Sequence, residues 1–389
     1  AGSVPAPRGA GLRTLRDGDG EVIDQALVLW FPGPRTATGE DCAELHCHGG
    51  RAVVAAVRAA LGGIAGLREA NAGEFTRRAF ENGRIDLAQA ESLGDLLAAE
   101  TELQRRVAQL GVGGALSREV EGWREETLAL AAMIEAVLDF AEDDDILDIP
   151  PAFFARREAL RQTIVHKLAM PRGERLREGI RVVVAGPPNA GKSSLFNALV
   201  GEGAAIVSSA PGTTRDVIER PVAFAGMPFL LVDTAGLRDD YSSDIEATGI
   251  ERAQRELAKA DLVLWLGPEG HGPEGAIEIQ SRCDDPAAPV KADPAHVVSS
   301  ITGAGLEGMI DHLVEQARLL LPRAGTAAIS QRQALLLAEV ADALEDSFCD
   351  PLLAAESLRR ARQGFDRLLG RTGVEDMLDV LFARFCIGK

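Results

Sequence analysis

The stretch RVVVAGPPNAGKSSLFNA, residues 181–198, constrains this 389-residue chain more than any other. After Arg181, the consecutive β-branched residues Val182 to Val184 suit a strand covered on both faces of a sheet. Gly186-Pro-Pro-Asn189-Ala190-Gly191-Lys192-Ser193 then fits the phosphate-loop pattern, and Ser194 to Val200 has helical spacing. The chemistry needs this order. Glycines let backbone N–H groups turn inward around a polyphosphate, and the helix N-terminus adds its positive end. Lys192 reaches the outer phosphates, and the Ser193 hydroxyl binds magnesium. Taken alone, these residues also fit a ligand-free glycine-rich turn; the residues downstream of Val200 decide between the two.

Four further signals come in the order a GTPase requires. Ser208-Ser209-Ala210-Pro211-Gly212-Thr213-Thr214 places Thr214 to close on the γ-phosphate and magnesium as a switch. FLLVDTAG ends a strand in Asp233-Thr234-Ala235-Gly236, where Asp233 supports magnesium through water and the Gly236 N–H senses the γ-phosphate. A strand at Ala276–Gln280 leads into Ser281-Arg282-Cys283-Asp284, whose Asp284 carboxylate sits where guanine N1–H and N2–H would donate. Ser299-Ser300-Ile301-Thr302-Gly303 follows the strand HVV, as a base-edge loop would.

Composition narrows the partners. Apolar residues make up 46% of the chain but aromatic ones only 4%, which favours long helices with small-residue packing. The net charge of −18 excludes a globally basic nucleic-acid surface; RNA would need a local patch or a second protein. No apolar run reaches a membrane span, so no membrane partner is expected. The first residues carry no secretory pattern. Five scattered cysteines, Cys42, Cys47, Cys283, Cys349 and Cys386, point to reduced thiols in a cytoplasm. The chain opens at Ala1 without Met, so a piece upstream is expected.

Residues 1–84 read as a small α/β domain. Asp17-Gly18-Asp19-Gly20 lies between Leu12–Arg16 and Val22–Phe31, which predicts a hairpin. The run Cys42-Ala-Glu44-Leu-His46-Cys47-His48 invites a metal. Strand alternation, however, sends Cys42, Glu44 and His46 to one face and Cys47 away, a poor tetrahedron. A helix is expected over Ala52–Leu61. From Asp86 to about Phe140 the pattern is helical in two stretches, the second holding Trp123. Glu142–Asp145 reads as a solvated acidic loop, and Phe153 to about Leu176 as one more helix. After Gly305 helices return, through Gln331–Cys349, Leu352–Leu369 and Glu375–Phe385. The simplest architecture is α/β plus α. A helical domain formed by residues 85–179 and 306–389 receives a Ras-like P-loop GTPase domain, residues 180–305, between its two segments.

Over nearly its whole length the chain resembles the tRNA uridine modification GTPases called MnmE or TrmE. The carriers are TGED at Thr38–Asp41, HGG at His48–Gly50, GEFTRRAFENGRIDLAQAE at Gly73–Glu91, GPPNAGKSSLFNAL, APGTTRDV, DTAGLR, GIERA at Gly249–Ala253, and the terminal CIGK. The resemblance implies a folate-binding N-terminal domain, a discontinuous helical domain, and a potassium-dependent GTPase whose G domains pair in a homodimer. It further implies an FAD-containing partner, MnmG (GidA), and chemistry at C5 of the wobble uridine of certain tRNAs. Asn189 would ligate potassium with oxygens around Ser208, Ala210 and Thr213, while Ser193 and Thr214 ligate magnesium. Glu44, Arg84 and Lys389 would contact 5-formyl- or methylene-tetrahydrofolate. Cys386 is a candidate catalytic thiol, with burial beside Phe385 and Ile387 as the structural alternative.

Two departures accompany the resemblance. The family's glycine-rich opening segment with a folate-touching arginine does not precede Ala1, so the folate pocket is expected to lack a part. The usual Asn-Lys-x-Asp appears as Ser281-Arg282-Cys283-Asp284; Asp284 keeps the base-reading carboxylate, Arg282 offers a plane to stack on the base, and Ser281 is too short to keep every bond of the asparagine. Leu237 follows Gly236, where Ras-like enzymes use a water-orienting glutamine. Glu246, ahead of GIERA, matches the family's substitute, with Arg215 and Arg238 as alternatives. A regulatory or ribosome-assembly GTPase without tRNA chemistry is the competing functional class, and CIGK with a folate-like domain argues against it.

Overall fold

A computed structural model describes residues 3–140, 148–205, 218–234, 254–345 and 350–372, together with residues 378, 381, 382 and 385. The chain divides into two compact units, one of Ala1–Gly94 with Gln363–Lys389 and one of Asp95–Arg362.

In the first unit, β1 (Ala10–Arg16) and β2 (Val22–Phe31) form the expected antiparallel hairpin, and β3 (Cys42–His46) pairs with β2. Helix α1 (Arg51–Gly62) covers one face, with Val57 packed on Leu15, Ala26 and Val28. Glu44 and His46 pair with each other at 3.0 Å, while His48 turns to Asp24 through both its backbone N–H and Nδ1, each at 2.8 Å. Helices α2 (Glu74–Glu81) and α3 (Leu87–Leu97) follow. Leu87 and Ala90 pack with Leu378, Phe382 and Phe385, so residues nearly three hundred positions further along the chain complete this unit's core.

The second unit holds a seven-stranded sheet. Its strands are β4 (Ile180–Ala185), β5 (Ala204–Ala205), β6 (Ile218–Phe224), β7 (Met227–Asp233), β8 (Leu262–Trp265), β9 (Ile277–Gln280) and β10 (His296–Val297), in the order β10-β9-β8-β4-β7-β6-β5. Strand β4 runs parallel to both its neighbours, β7 and β8; Ile180 and Val182 to Val184 are fully buried. Its valine run is what such a doubly covered strand needs. Each of these side chains contributes roughly 1.5–3 kcal/mol of burial. Strand β6 is antiparallel to β7 across a turn at Ala225 (φ 47°) and Gly226 (φ 74°).

The helices of this unit correct two expectations. Between α3 and α5 (Ala115–Phe140) stands α4 (Glu102–Val112), so the region holds three helices, not two. Thr101 and Gln104 make a reciprocal capping box that starts it. The single helix expected over Phe153–Leu176 is two, α6 (Pro151–Ala169) and α7 (Gly173–Glu178). Pro171 cannot donate to the α6 ladder, and Met170 before it is extended at ψ 153°. Further helices are α8 (Lys192–Glu202), α9 (Leu306–Leu320), α10 (Gln331–Glu345) and α11 (Pro351–Leu368). Cys349 and most of Glu375–Phe385 lie outside the described residues.

Candidate nucleotide site

Strand β4 delivers the chain to the phosphate loop, and α8 carries it away. Three backbone positions make the turn. Gly186 has φ 151°, and a Cβ there would stand 3.1 Å from the Gly267 nitrogen at the end of β8. Gly191, at φ 92°, caps α8. Asn189, at φ 62°, takes the left-handed conformation that Asn tolerates better than most side chains. Lys192 is buried and its Nζ donates to the Pro187 carbonyl at 2.8 Å, which holds the ammonium against the loop it encloses.

The ends of β4 and β7 are in register at Val184 and Asp233. Asp233 and Thr234 are buried, and the Thr234 hydroxyl donates to the Val184 carbonyl at 2.9 Å. A phosphate-binding loop at the C-terminal edge of parallel strands is the usual ligand position in such sheets.

The loop after β9 comes to the same place. Ser281 Oγ donates to the Ala190 carbonyl at 2.8 Å, so the short serine keeps a tie to the phosphate loop. Arg282 stands at φ 59°, with Nη2 donating to Asp285 at 2.8 Å, and the Cys283 N–H donates to the Val298 carbonyl. Beyond β10, the buried Ser299 hydroxyl accepts from the N–H groups of Ile301 and Thr302, fixing the second loop. Asn189, Lys192, Ser193, Arg282, Asp284 and Ile301 thereby line one cavity of about 960 Å³, together with Gly191 and Ser194. Five predicted site residues of the phosphate loop are brought together with Asp284, the carboxylate expected from the sequence to face the base. Ala190 does not line the cavity; its carbonyl accepts from Ser281 Oγ.

Sequence reasoning missed β8, whose Trp265 packs where side chains on Gly267 or Gly272 would otherwise stand. It also missed the engagement of Arg282 by Asp285, which the spacing of the two residues allows.

In the first unit, Glu44 lies on β3 facing His46, and Arg84 donates from Nε to the Thr36 carbonyl at 3.1 Å. No bond joins Glu44 to Arg84. The loop carrying Thr38–Asp41 is fastened to α2 by Asn82, which donates to the Thr38 carbonyl at 2.9 Å, and by Arg78, which pairs with Glu40 at 2.8 Å. Ser208, Ser209, Ala210, Pro211, Gly212, Thr213, Thr214, Ala235, Gly236, Glu246, Cys386 and Lys389 lie outside the described residues, as do Arg215, Leu237 and Arg238. Among the described residues no helix is long and apolar enough to cross a membrane.

Comparison with known proteins completes the site's context. The family profile for the MnmE helical domain matches residues 87–386, and that for the GTP-binding protein TrmE N-terminus matches residues 2–84. The tRNA modification GTPase MnmE of Erythrobacter litoralis is 56% identical over all of this chain and 92% of its own length. That of Novosphingobium aromaticivorans is 56% identical over 100% and 92%, and that of Rhizorhabdus wittichii 54% identical over 99% and 88%. The G domain of the T. maritima FeoB iron transporter is 30% identical over 36% of this chain and 98% of that domain, with a TM-score of 0.25, too low to carry an argument about the fold. Two profiles of one family that together span nearly every residue, and relatives above half identity along the whole length, agree with the phosphate-loop geometry: the chain belongs to the MnmE family of tRNA modification GTPases.

Proposed function

We propose that this chain hydrolyses GTP in the service of tRNA modification, as a potassium-activated enzyme acting at C5 of the wobble uridine of certain tRNAs. The observation that carries this reading is the single cavity on which the phosphate loop and the Asp284 loop converge. The loop suits a polyphosphate: Asn189, Gly191, Lys192 and Ser193 line the cavity where α8 begins, at the positive end of the helix. Lys192 would leave the Pro187 carbonyl for the β- and γ-phosphates, and Asp284 would accept from the guanine edge. Magnesium, when bound, neutralises phosphate charge; Ser193 and Thr214 would hold it, supported by Asp233. Potassium supplies further positive charge there, and Asn189 with oxygens of Ser208, Ala210 and Thr213 would hold it.

Glu246 would orient the attacking water, because Leu237 has no polar atom to do so. The Gly236 N–H would report the γ-phosphate to the switch. Pairing of two G domains in a homodimer is the route by which the Ser208–Thr214 segment would be ordered over the cation. In this reading the helical domain is residues 85–179 and 306–389, the GTPase domain residues 180–305, and residues 1–84 the folate-binding domain. Glu44, Arg84 and Lys389 would contact a formyl- or methylene-tetrahydrofolate. Arg84 spends only Nε on Thr36, and its remaining guanidinium N–H groups suit a carboxylate. Cys386 would act as a thiol in the one-carbon chemistry, and the FAD-containing MnmG would be the partner, in the cytoplasm.

Steady-state GTP hydrolysis in potassium and in sodium tests the reading. Turnover much faster in potassium, and lost in Glu246→Ala with nucleotide binding kept, is expected; equal rates in the two salts would remove the potassium role.

A further inference from the structure

An acidic protein that handles RNA needs a local basic surface, and the described residues contain one. Residues 156–177 hold seven Lys or Arg against two acids, and residues 316–338 hold three arginines and no acid. The two segments thus carry five and three positive charges on balance, in a chain of net −18.

The fold joins them. The Gly173 N–H donates to the Ile329 carbonyl at 3.1 Å, and the Gln331 N–H donates to the Glu174 carboxylate. His166, Pro171, Arg318 and Arg323 line one cavity of about 420 Å³ between the end of α6 and the end of α9. Several of the segments' cations are already matched: Arg156 by Glu126, Arg161 by Glu158, Lys167 by Glu119 and Arg175 by Asp261, at 2.7 to 3.2 Å. Arg172, Arg318 and Arg323 are exposed and have no carboxylate partner among the described residues.

Helix ends account for part of this pattern. His166, Lys167 and Arg318 sit in the last turns of α6 and α9, where the helix dipole favours a cation. That reason does not extend to Arg323, in the linker after α9, or to Arg172, which precedes the first turn of α7, where the dipole disfavours positive charge. The cavity floor is aliphatic, with Leu321, Ala327 and Ile329 buried, and no Phe, Tyr or Trp lines it. A base would find no ring to stack on. The chemistry offered is the guanidinium forks of Arg318 and Arg323 at the cavity and of Arg172, next in the chain to the lining Pro171, and such forks suit phosphate oxygens.

We propose that Arg172, Arg318 and Arg323 form the surface on which this protein holds the RNA phosphate backbone, without reading bases. The proposal rests on the tRNA function proposed for the chain and adds where the tRNA is held. The test is binding of labelled tRNA to the full chain over a range of salt concentrations. Replacing all three arginines by alanine should make the dependence of log K on log salt shallower by roughly 2 to 3, about 0.7–0.9 per lost phosphate contact. Binding of an unrelated RNA of the same length should weaken in proportion, and intrinsic GTP hydrolysis should stay unchanged. The corresponding triple lysine variant, which keeps the charge and only loses the fork, should retain most of the slope. Unchanged affinity and slope in the alanine variant, with the wild type binding tRNA, would place the RNA surface elsewhere. Loss of binding to the flavoprotein with tRNA binding intact would make this a protein interface and overturn the proposal. A wild-type chain that neither binds tRNA nor supports its modification would instead refute the tRNA function itself.

Discussion

The Ser281 hydroxyl donates to the Ala190 carbonyl at 2.8 Å, fastening the loop that bears Asp284 to the loop that bears Lys192. The two loops that line the cavity are therefore linked through one side chain, a serine where the family uses a longer asparagine. Ser281→Ala should weaken GTP binding several-fold, since one net hydrogen bond contributes roughly 0.5–1.5 kcal/mol. Stopped-flow dissociation of a fluorescent GTP analogue measures it. An unchanged dissociation rate would make the bond incidental.

Asp284 lines the same cavity and is the carboxylate assigned to the guanine edge. Asp284→Asn should weaken GTP and strengthen XTP, because the amide presents a donor to the base where the carboxylate accepted. Affinities that fail to move in opposite directions would assign base reading to another residue.

Gly186 and Gly191 are both glycine for conformational reasons, but with different margins. A Cβ on Gly186 would approach the Gly267 backbone to 3.1 Å, whereas one on Gly191 would meet nothing nearer than 3.7 Å. Gly191→Ala therefore carries only the strain of φ 92°, of order 1–3 kcal/mol, while Gly186→Ala adds a backbone clash. Thermal unfolding should show Gly186→Ala as the more destabilised of the two. Equal losses would contradict the packing argument.

Much of the nucleotide site was legible because its signals are local. Val182–Val184, the glycines and Lys192 are fixed by the chemistry of one strand-loop-helix unit. What escaped reading was hidden by other residues. Pro221 interrupts β6, and proline weakens any strand reading. Helix α4 was concealed within a long Ala- and Leu-rich stretch, although Thr101 with Gln104 is a cap signature that periodicity alone does not weigh. The split between α6 and α7 was announced by Pro171 and overridden by the apolar spacing on both sides. The arginine surface escaped because its two halves lie far apart in sequence and are brought together by tertiary bonds, such as Gly173 to Ile329 and Gln331 to the Glu174 carboxylate.

Glu74 gives a pH-dependent expectation for the first unit. The Arg68 guanidinium grips it with two bonds of 2.7 and 2.8 Å, Arg78 adds two of 2.6 and 3.2 Å, and the Asn71 N–H a fifth contact. Together they lower its pKa from 4.5 to about 2. A carboxylate depressed in the fold adds stability above its unfolded value that is lost as pH falls through the folded one. Glu74→Gln should therefore destabilise the protein at neutral pH, with the difference shrinking from about pH 4.5 down towards 2. A gap between wild type and variant that is constant with pH would show that packing, not charge, is what Glu74 contributes.

In the proposed function, GTP turnover at this site drives uridine modification. Its most direct test is mass spectrometry of tRNA nucleosides after incubation with this chain, the flavoprotein partner, a one-carbon tetrahydrofolate and an amine donor in potassium buffer. C5-modified uridine should appear with GTP, and should be absent with GDP or with Lys192→Ala. Unmodified tRNA despite rapid GTP hydrolysis, or equal modification without GTP, would show that hydrolysis does not drive the modification.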